Sequence, residues 1–549
     1  MDSTTAIDPH TYANRWRILF VLCLSLMVIM IANGSLNVAL PQLADDLHAS
    51  TSGLQWMVDA YSLVFAGMLF TAGTLGDRFG RKLALQGGMV LFLAGALAAS
   101  VAHDAGQVIA ARAVMGLAAA FVMPSTLSLL ANVFPAEERP RAISIWAGVA
   151  AGGAAFGAPI SGFLLEHFWW GSVFLINVPL LLVALVAGRL LLPESRNPHE
   201  ERVDVPGALL SILGIGALVY AIIEAPSHGW ASGTTLLVFA VAAVAFAAFV
   251  VRERRTAHPM FDLGLLRNRR FGSASAGISL CFFALFGVMF LLAQDLQMVL
   301  AYSPFKAGVL LLPMPLTMMV VAPQAPKLVA RFGISRVVPV GMALLAGGLG
   351  ILSSVTTSTP LGFLYVALLP MMAGMAVTMS PFTAMIMTSV PPERAGMGSA
   401  TNDTTRELGG ALGVAILGSV ATTHYRAASL PGLEGLAAAP RTLVRSGLAG
   451  ALATAASLPR STGGPLATEA RRAFTEGFGM ACLAGAAVVA VAAVAITLVL
   501  RRVAAAPAGV TVAPPAEDPI EQLEEVPIVA EEAEPPASQL GRGAAAGSG

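Results

Sequence analysis

Five ionisable side chains stand inside long apolar stretches of this chain, where reversible protonation and charge compensation are the chemistry open to them. They are Asp59 in WMVDAYSLVFAG, Arg112 in ARAVMGLAAAF, and Asp403, Arg406 and Glu407 in NDTTRELGGALG. A charged side chain at the centre of a membrane helix costs about 2.5–3.5 kcal/mol on insertion scales, so each should face a partner or a wet cavity. Asp59 and Arg112 each lie about six residues from the same end of their stretches, roughly 10 Å at a rise of 1.5 Å per residue. Equal depth predicts an Arg112–Asp59 pair that separates when a proton or a substrate competes for the carboxylate; a static structural ion pair is the alternative. Asp403 and Arg406 are three apart and can pair on one helix face. That leaves Glu407, about ten residues in, as a second protonatable or cation-binding group, unless Thr401, Thr404 and Thr405 merely solvate it. Glu224 and Asp295 fall near the ends of their stretches and read as interfacial.

Fourteen apolar runs carry these groups: 17–39, 53–75, 83–102, 107–132, 142–165, 172–192, 206–226, 233–251, 271–297, 306–328, 337–357, 361–388, 398–422 and 476–500. About 20 helical residues cross a hydrocarbon core of ~30 Å. The composition agrees, with 549 residues of which 56% are hydrophobic and 12% charged, about half the charged share of a soluble domain. Net charge is zero, so no nucleic-acid partner is implied. Cys23, Cys281 and Cys482 all sit in apolar runs and suggest neither a disulfide framework nor a metal site. The first run is too long for a cleaved signal and should remain a span. No span holds His, Asp and Glu at metal-ligand spacing and no G-x-S-x-G occurs, which argues against a membrane enzyme.

Cations give the orientation. Arg15, Arg17, Arg78, Arg81, Lys82, Arg139, Arg141, Arg252, Arg254, Arg255 and Arg336 fall on one side, whereas the short loops of the other side offer only Lys306. Lys and Arg mark the cytoplasmic side, so both termini are expected there and the long 423–475 loop outside. An internal repeat is also visible. PKLVARFGISR (Pro326–Arg336) follows the tenth run as GTLGDRFGRK (Gly73–Lys82) follows the second. Runs 9–14 then repeat runs 1–6, with runs 7 and 8 inserted between them, an arrangement of two six-span bundles about an axis along the membrane normal. The fifth run, GVAAGGAAFGAPISGF, holds Gly153, Gly157 and Pro159; its counterpart holds Gly409, Gly410, Gly413 and Gly418. Such glycines let helices touch backbone to backbone and the proline bends its helix, as two rocking bundles would need; generic small-residue packing is the alternative. Thirteen of 23 methionines lie between 271 and 397, Met371 and Met375 among them. Flexible thioethers suit a wall that repacks around varied apolar ligands; plain core filling also explains them. The tail from Ala504 is rich in Ala, Pro and Glu and should be disordered.

GTLGDRFGRK, LNVALP (Leu36–Pro41), the glycine run with Pro159, and PPERAGMGSATNDTTRELGGALG (Pro391–Gly413) together resemble the fourteen-span drug:proton antiporter branch of the major facilitator superfamily, from about residue 15 to 502. The resemblance implies an all-α integral membrane fold: a cytoplasmic N-terminus (1–14), a first six-span bundle (15–200), inserted spans (201–255), a second bundle (265–502) and a cytoplasmic tail (503–549). It implies proton-coupled efflux of small lipophilic compounds from the bacterial cytoplasm by a monomer in the bilayer, with the proton gradient in place of any cofactor or metal. Asp59, Arg112 and Glu407 would couple protons. Gly73, Asp77, Arg78, Gly80 and Arg81 would latch the two bundles at the cytoplasmic face, with Gly153, Gly157 and Pro159 assisting the movement. Asn33, Asn37, Met371 and Met375 would line the substrate cavity. Two departures stand out: Ala158 separates Gly157 from Pro159, and Ala32–Asn33 stand where the branch commonly has an acid in span 1. With Asp59 and Glu407 offset by Arg112 and Arg406, a neutral or weakly basic substrate is expected over a dication. Uptake symport, or export of an endogenous metabolite, is the competing reading.

Overall fold

A computed structural model describes residues 9–135, 138–195, 204–256, 264–265, 268–389 and 395–505, and among them there is no strand. The tail expected to be disordered falls almost wholly outside these residues. In chain order the helices are α1 (Pro9–Asp46), α2 (Thr51–Phe79), α3 (Arg81–Ser100), α4 (Ala105–Val133), α5 (Arg139–His167), α6 (Ser172–Leu191), α7 (Val205–His228) and α8 (Gly233–Arg255). They continue as α9 (Arg269–Val299), α10 (Pro304–Phe332), α11 (Ile334–Leu352), α12 (Leu361–Thr388), α13 (Ala395–Ala427), α14 (Ala438–Ser446), α15 (Leu448–Ser457) and α16 (Arg460–Ala505). Every predicted run falls on a helix. Among the described residues, eleven helices are long and apolar enough to cross a membrane. The other three at predicted runs, α2, α5 and α13, are 29, 29 and 33 residues long, and they carry most of the glycines and charges singled out above.

The packing follows the small residues. Between hydrocarbon-soluble helices there is little hydrophobic drive, so close van der Waals approach decides the partners. Gly116 of α4 sits where any Cβ would strike the Tyr61 carbonyl of α2, and Gly157 of α5 lies against the Ile31 carbonyl and Gly34 of α1. Ser35 and Ser161 tighten that second contact, donating to the Gly157 and Ser35 carbonyls at 3.0 and 2.9 Å. Gly409 and Gly413 press α13 onto the Ser279 and Phe283 backbone of α9. Thus α1–α6 pack mainly among themselves, as do α9–α13, while α7 pairs with α8 and lies across both α2 and α13. The glycines of α5 and α13, expected at the junction of the two bundles, mostly make their contacts inside their own bundle; among the described residues, only Gly162, against Pro304 and Phe305, and Gly418, against Gln55, meet the other.

The repeat has a backbone counterpart. Gly80 ends α2 at φ +126° with its N–H bonded to the Gly76 carbonyl, and Gly333 ends α10 at φ +78° with its N–H bonded to the Val329 carbonyl. Positive φ is cheap only for glycine. The expected outer loop is itself folded. α14 and α15 are joined at Gly447, the Tyr425 hydroxyl donates to the Val444 and Gly447 carbonyls, and Thr51 donates to Ser446. At 46 residues α16 is about 69 Å long, so it extends well beyond the predicted span 476–500.

Gly80→Ala should destabilise the protein more than Gly333→Ala. Both incur positive-φ strain of about 1–3 kcal/mol, but a Cβ at Gly80 also collides with Glu194, whereas Gly333 has open space. Thermal melts of the two variants in detergent would show this order; equal melting of both with wild type would refute it.

Candidate functional site

The polar residues of α2 divide between two faces. Residues two apart on a helix point about 200° away from each other, at 3.6 residues per turn. Met57 and Tyr61 face α4, where Arg112 is buried at 2% exposure. Its Nε donates to the Met57 carbonyl at 3.0 Å and its guanidinium carbon lies 4.3 Å from the Tyr61 ring centroid. Gln55, Asp59 and Ser62 lie on the other side, toward α13. Gln55 Nε2 donates to the Val414 and Ala415 carbonyls at 3.0 and 3.1 Å, and Ser62 adjoins Glu407. Antiparallel pairing of 55 with 414–415 and 62 with 407 sets Asp59 opposite Gly410–Ala411. Asp59 is fully buried and neither of its oxygens has a hydrogen-bond partner. The expected Arg112–Asp59 pair is therefore absent. Depth matched, but direction around the helix did not.

Arg112 instead faces across the bundles. Glu407 acts on both Arg112 and Tyr61, and Asn33 of α1 adjoins the Tyr61 ring hydroxyl. On α13 one guanidinium serves two acids: Arg406 lies 3.6 Å from Asp403 and 3.7 Å from Glu407. Its carbon stands 5.6 Å from the Phe282 ring of α9. Glu407 is thus not left over by an Asp403–Arg406 pair, as expected, but shares the same cation. The result is a cluster of Arg112, Tyr61, Asn33, Arg406, Glu407 and Asp403, contributed by both bundles. It can hold a charge or a hydrogen-bonding group between stacked rings and guanidinium planes.

Other expected site residues fall elsewhere. Met371 and Met375 are completely buried, with Met371 packed where Gly348 brings α11 against α12; they fill the core and do not line a cavity. Asn37 lies one turn beyond Asn33 on the same face of α1, its side-chain oxygen buried without a partner. Gly153 packs on Met27 and Met30 of α1, and Pro159 abuts Gly308 of α10. The Asp77 side chain lies outside the described residues. The rest of its loop binds within its own bundle: the Arg81 N–H reaches the Ser195 carbonyl at 2.8 Å, Lys82 the Leu192 carbonyl at 2.7 Å, and Arg78 is exposed over Phe79. Gly73 only touches Pro124. Asp295, read as interfacial, is instead wholly buried on a π-turn (Asp295–Val299). Nothing in the sequence marks that extra residue in the turn.

Hydrogen bonds between the bundles gather at the face opposite the basic loops. Besides Gln55, they include Gln297 to the Val38 carbonyl at 2.9 Å and the Phe305 N–H to Glu166 at 3.3 Å. That face is closed in this structure. At the basic face Arg15 grips Glu138 within the first bundle at 2.7 Å.

The profile of the Major Facilitator Superfamily matches residues 22–414. The multidrug efflux pump LfrA of Mycolicibacterium smegmatis is 36% identical over 501 residues, 91% of this chain and 99% of its own. The tetracenomycin C resistance and export protein of Streptomyces glaucescens is 32% identical, covering 88% and 91% of the two chains. The methyl viologen resistance protein SmvA of Salmonella typhimurium is 36% identical, covering 84% and 93%. Among solved structures, an inward-facing, unoccupied bacterial homologue of the human lysosomal transporter Spinster superposes with TM-score 0.62 at 16% identity, covering 90% of this chain and 98% of that one.

The separation of Asp59 from Arg112 has a measurable consequence. Asp59→Asn should leave the melting temperature unchanged or raise it, because a neutral isostere replaces an unpaired buried acid. Arg112→Ala should lower it, removing the bond to the Met57 carbonyl and the stacking on the Tyr61 ring. The double variant should equal the sum of the two within about 0.5 kcal/mol; a strong coupling energy would restore the ion pair.

Proposed function

This chain belongs to the major facilitator superfamily and is a drug-efflux transporter rather than an enzyme, and we propose that it exports small lipophilic compounds in exchange for protons. The observation that carries the proton half is Asp59, buried without a partner at the seam where α2 of one bundle meets α13 of the other. An ionised carboxylate there would lack both water and a countercharge, a state that costs several kcal/mol. The neutral acid fits the closed seam. When the seam opens, water reaches the group and ionisation becomes favourable. Proton binding and closure of that face are then one event, and exchange is completed when substrate entering from the basic face opens the seam on that side and the proton leaves there.

Substrate handling belongs to the neighbouring cluster in this reading. Arg112, Arg406, Asp403 and Glu407 sum to zero charge, so a neutral or weakly basic compound enters without a large desolvation penalty. Tyr61 and Phe282 supply flat apolar faces. Asp77 and Arg78, by family resemblance, would latch the bundles at the basic face in the opposite arrangement. We place the basic loops and both termini in the cytoplasm of a bacterial cell whose plasma membrane the chain crosses fourteen times, acting as a monomer.

Asp59→Asn reconstituted in liposomes should lose dye accumulation driven by an imposed pH gradient yet keep downhill dye movement. Gradient-driven accumulation at the wild-type level would remove Asp59 from coupling. Orientation is checked separately. All three native cysteines are buried, so Thr442→Cys should react with an impermeant maleimide in intact cells and Lys327→Cys only after lysis. The reverse pattern would overturn the placement of the termini.

A further inference from the structure

Asp295 is a second buried carboxyl group that neither the cluster nor Asp59 accounts for. Its backbone carbonyl accepts the Leu300 N–H at 2.9 Å, five residues on, which widens the end of α9 into the π-turn. Such turns insert one residue into a helix and recur at functional sites. One carboxyl oxygen lies 3.4 Å from the Thr475 hydroxyl of α16, which also has the Arg471 carbonyl as an acceptor at 3.0 Å; the other is buried without a partner. The same turn holds the closed face together. Gln297 donates to the Val38 carbonyl of α1 at 2.9 Å, the only contact of this turn that reaches the other bundle among the described hydrogen bonds, and Met298 accepts from Arg471 of α16 at 3.0 Å. Ala301, just beyond, sits at φ +55°, a conformation that a side chain tolerates poorly.

The surroundings offer Asp295 no countercharge. α16 presents Thr475 and the Cys482 thiol, and Arg471 is committed to the Met298 carbonyl. α1 presents only the Val38 carbonyl to this turn. Toward α10 and α12 the turn shows Leu296, among Leu310, Leu364 and Tyr365, whose hydroxyl is bonded to the Leu310 carbonyl.

We propose that Asp295 is a proton-binding gate residue: the neutral acid lets the π-turn stay buried with Gln297 clasping α1, and loss of the proton opens that clasp. The proton comes from water on the face opposite the basic loops and returns there, so Asp295 carries no net current. It makes closure of that face favourable in acid, on the side from which the proposed exchange draws its protons. This deepens the alternating-access reading above and rests on it.

Spin labels at His167→Cys on α5 and Lys306→Cys on α10, both exposed beside the closed contact, report the gate in the full-length protein in nanodiscs. In an Asp59→Asn background, which removes the other buried acid of the seam, the ratio of the short-distance to the long-distance population should fall roughly tenfold for each pH unit on the alkaline limb, as release of one proton dictates. Adding Asp295→Asn to that background should hold the short distance at every pH, and Asp295→Glu should restore the dependence. Thr475→Val, which removes the one hydrogen-bonding side chain beside the carboxyl, should move the midpoint and serves as the second variant where Asp295→Asn does not fold. An unaltered pH dependence in Asp295→Asn, or an unmoved midpoint in Thr475→Val, overturns the gate. Ethidium efflux from liposomes under a pH gradient separates the two ideas. Gradient-driven ethidium movement with an unchanged distance profile in Asp295→Asn rejects the gate alone. A profile abolished in Asp295→Asn, with no gradient-driven movement in the wild type, keeps the gate and rejects proton-coupled export.

Discussion

A carboxyl group removed from water must be paired or neutral, and α2 holds one that is unpaired. This constraint organises the rest of the arrangement. Arg112, the natural countercharge, is turned to the Met57 carbonyl and the Tyr61 ring on the far side of the same helix, with its Nη1 buried unpartnered, so it does not neutralise Asp59. The Cβ-less contact at Gly116 holds α4 in that position by bringing its backbone onto the Tyr61 carbonyl. Helix packing thereby decides an electrostatic matter. Had α2 been turned by half a revolution, Asp59 would face Arg112 as the static half of an ion pair and closure of the seam would have no link to a proton.

How much was legible in the sequence depends on which coordinate is asked for. Position along a helix axis follows from counting residues at 1.5 Å each, and every predicted run fell on a helix. Direction around the axis needs the identity of the neighbour. That is why Asp59 and Arg112 were placed at one depth and wrongly paired. The same gap explains Met371 and Met375, whose spacing suits a cavity wall or a core equally well until α11 is seen against them. The repeat that carries Gly80 and Gly333 was legible, and its backbone cause is local: a helix that stops and reverses needs positive φ, whatever packs nearby. Asp295 was unreadable because a π-turn is a property of backbone register, and it carried a residue counted as terminal into full burial.

The inserted pair α7–α8 gains a role from its position. Ile215, Val219 and Ile222 of α7 form one apolar cluster with Leu63 of α2 and Ala411 and Ala415 of α13. Ser419 of α13 donates to the Ile222 carbonyl at 2.8 Å. These contacts bracket the level of Asp59 on the seam. α7 thus adds an apolar surface beside the acid, which raises the penalty for ionisation while the seam is shut. The insertion is therefore consistent with a seam that is dry when closed.

The closed face is held mostly by neutral bonds. Gln55, Gln297 and Thr51 donate to backbone carbonyls on the other side of a junction, and the Phe305 N–H to Glu166 contact is the charge-assisted exception. A neutral hydrogen bond contributes only about 0.5–1.5 kcal/mol net because water replaces it readily. A buried interbundle salt bridge would be worth several kcal/mol to keep intact once formed, and would lock the face. With neutral bonds, the balance between arrangements stays within reach of a single protonation, since each pKa unit by which one arrangement favours the acid is worth about 1.4 kcal/mol. A glutamine-to-carbonyl seam is the kind of closure that one or two buried carboxyl groups can tip.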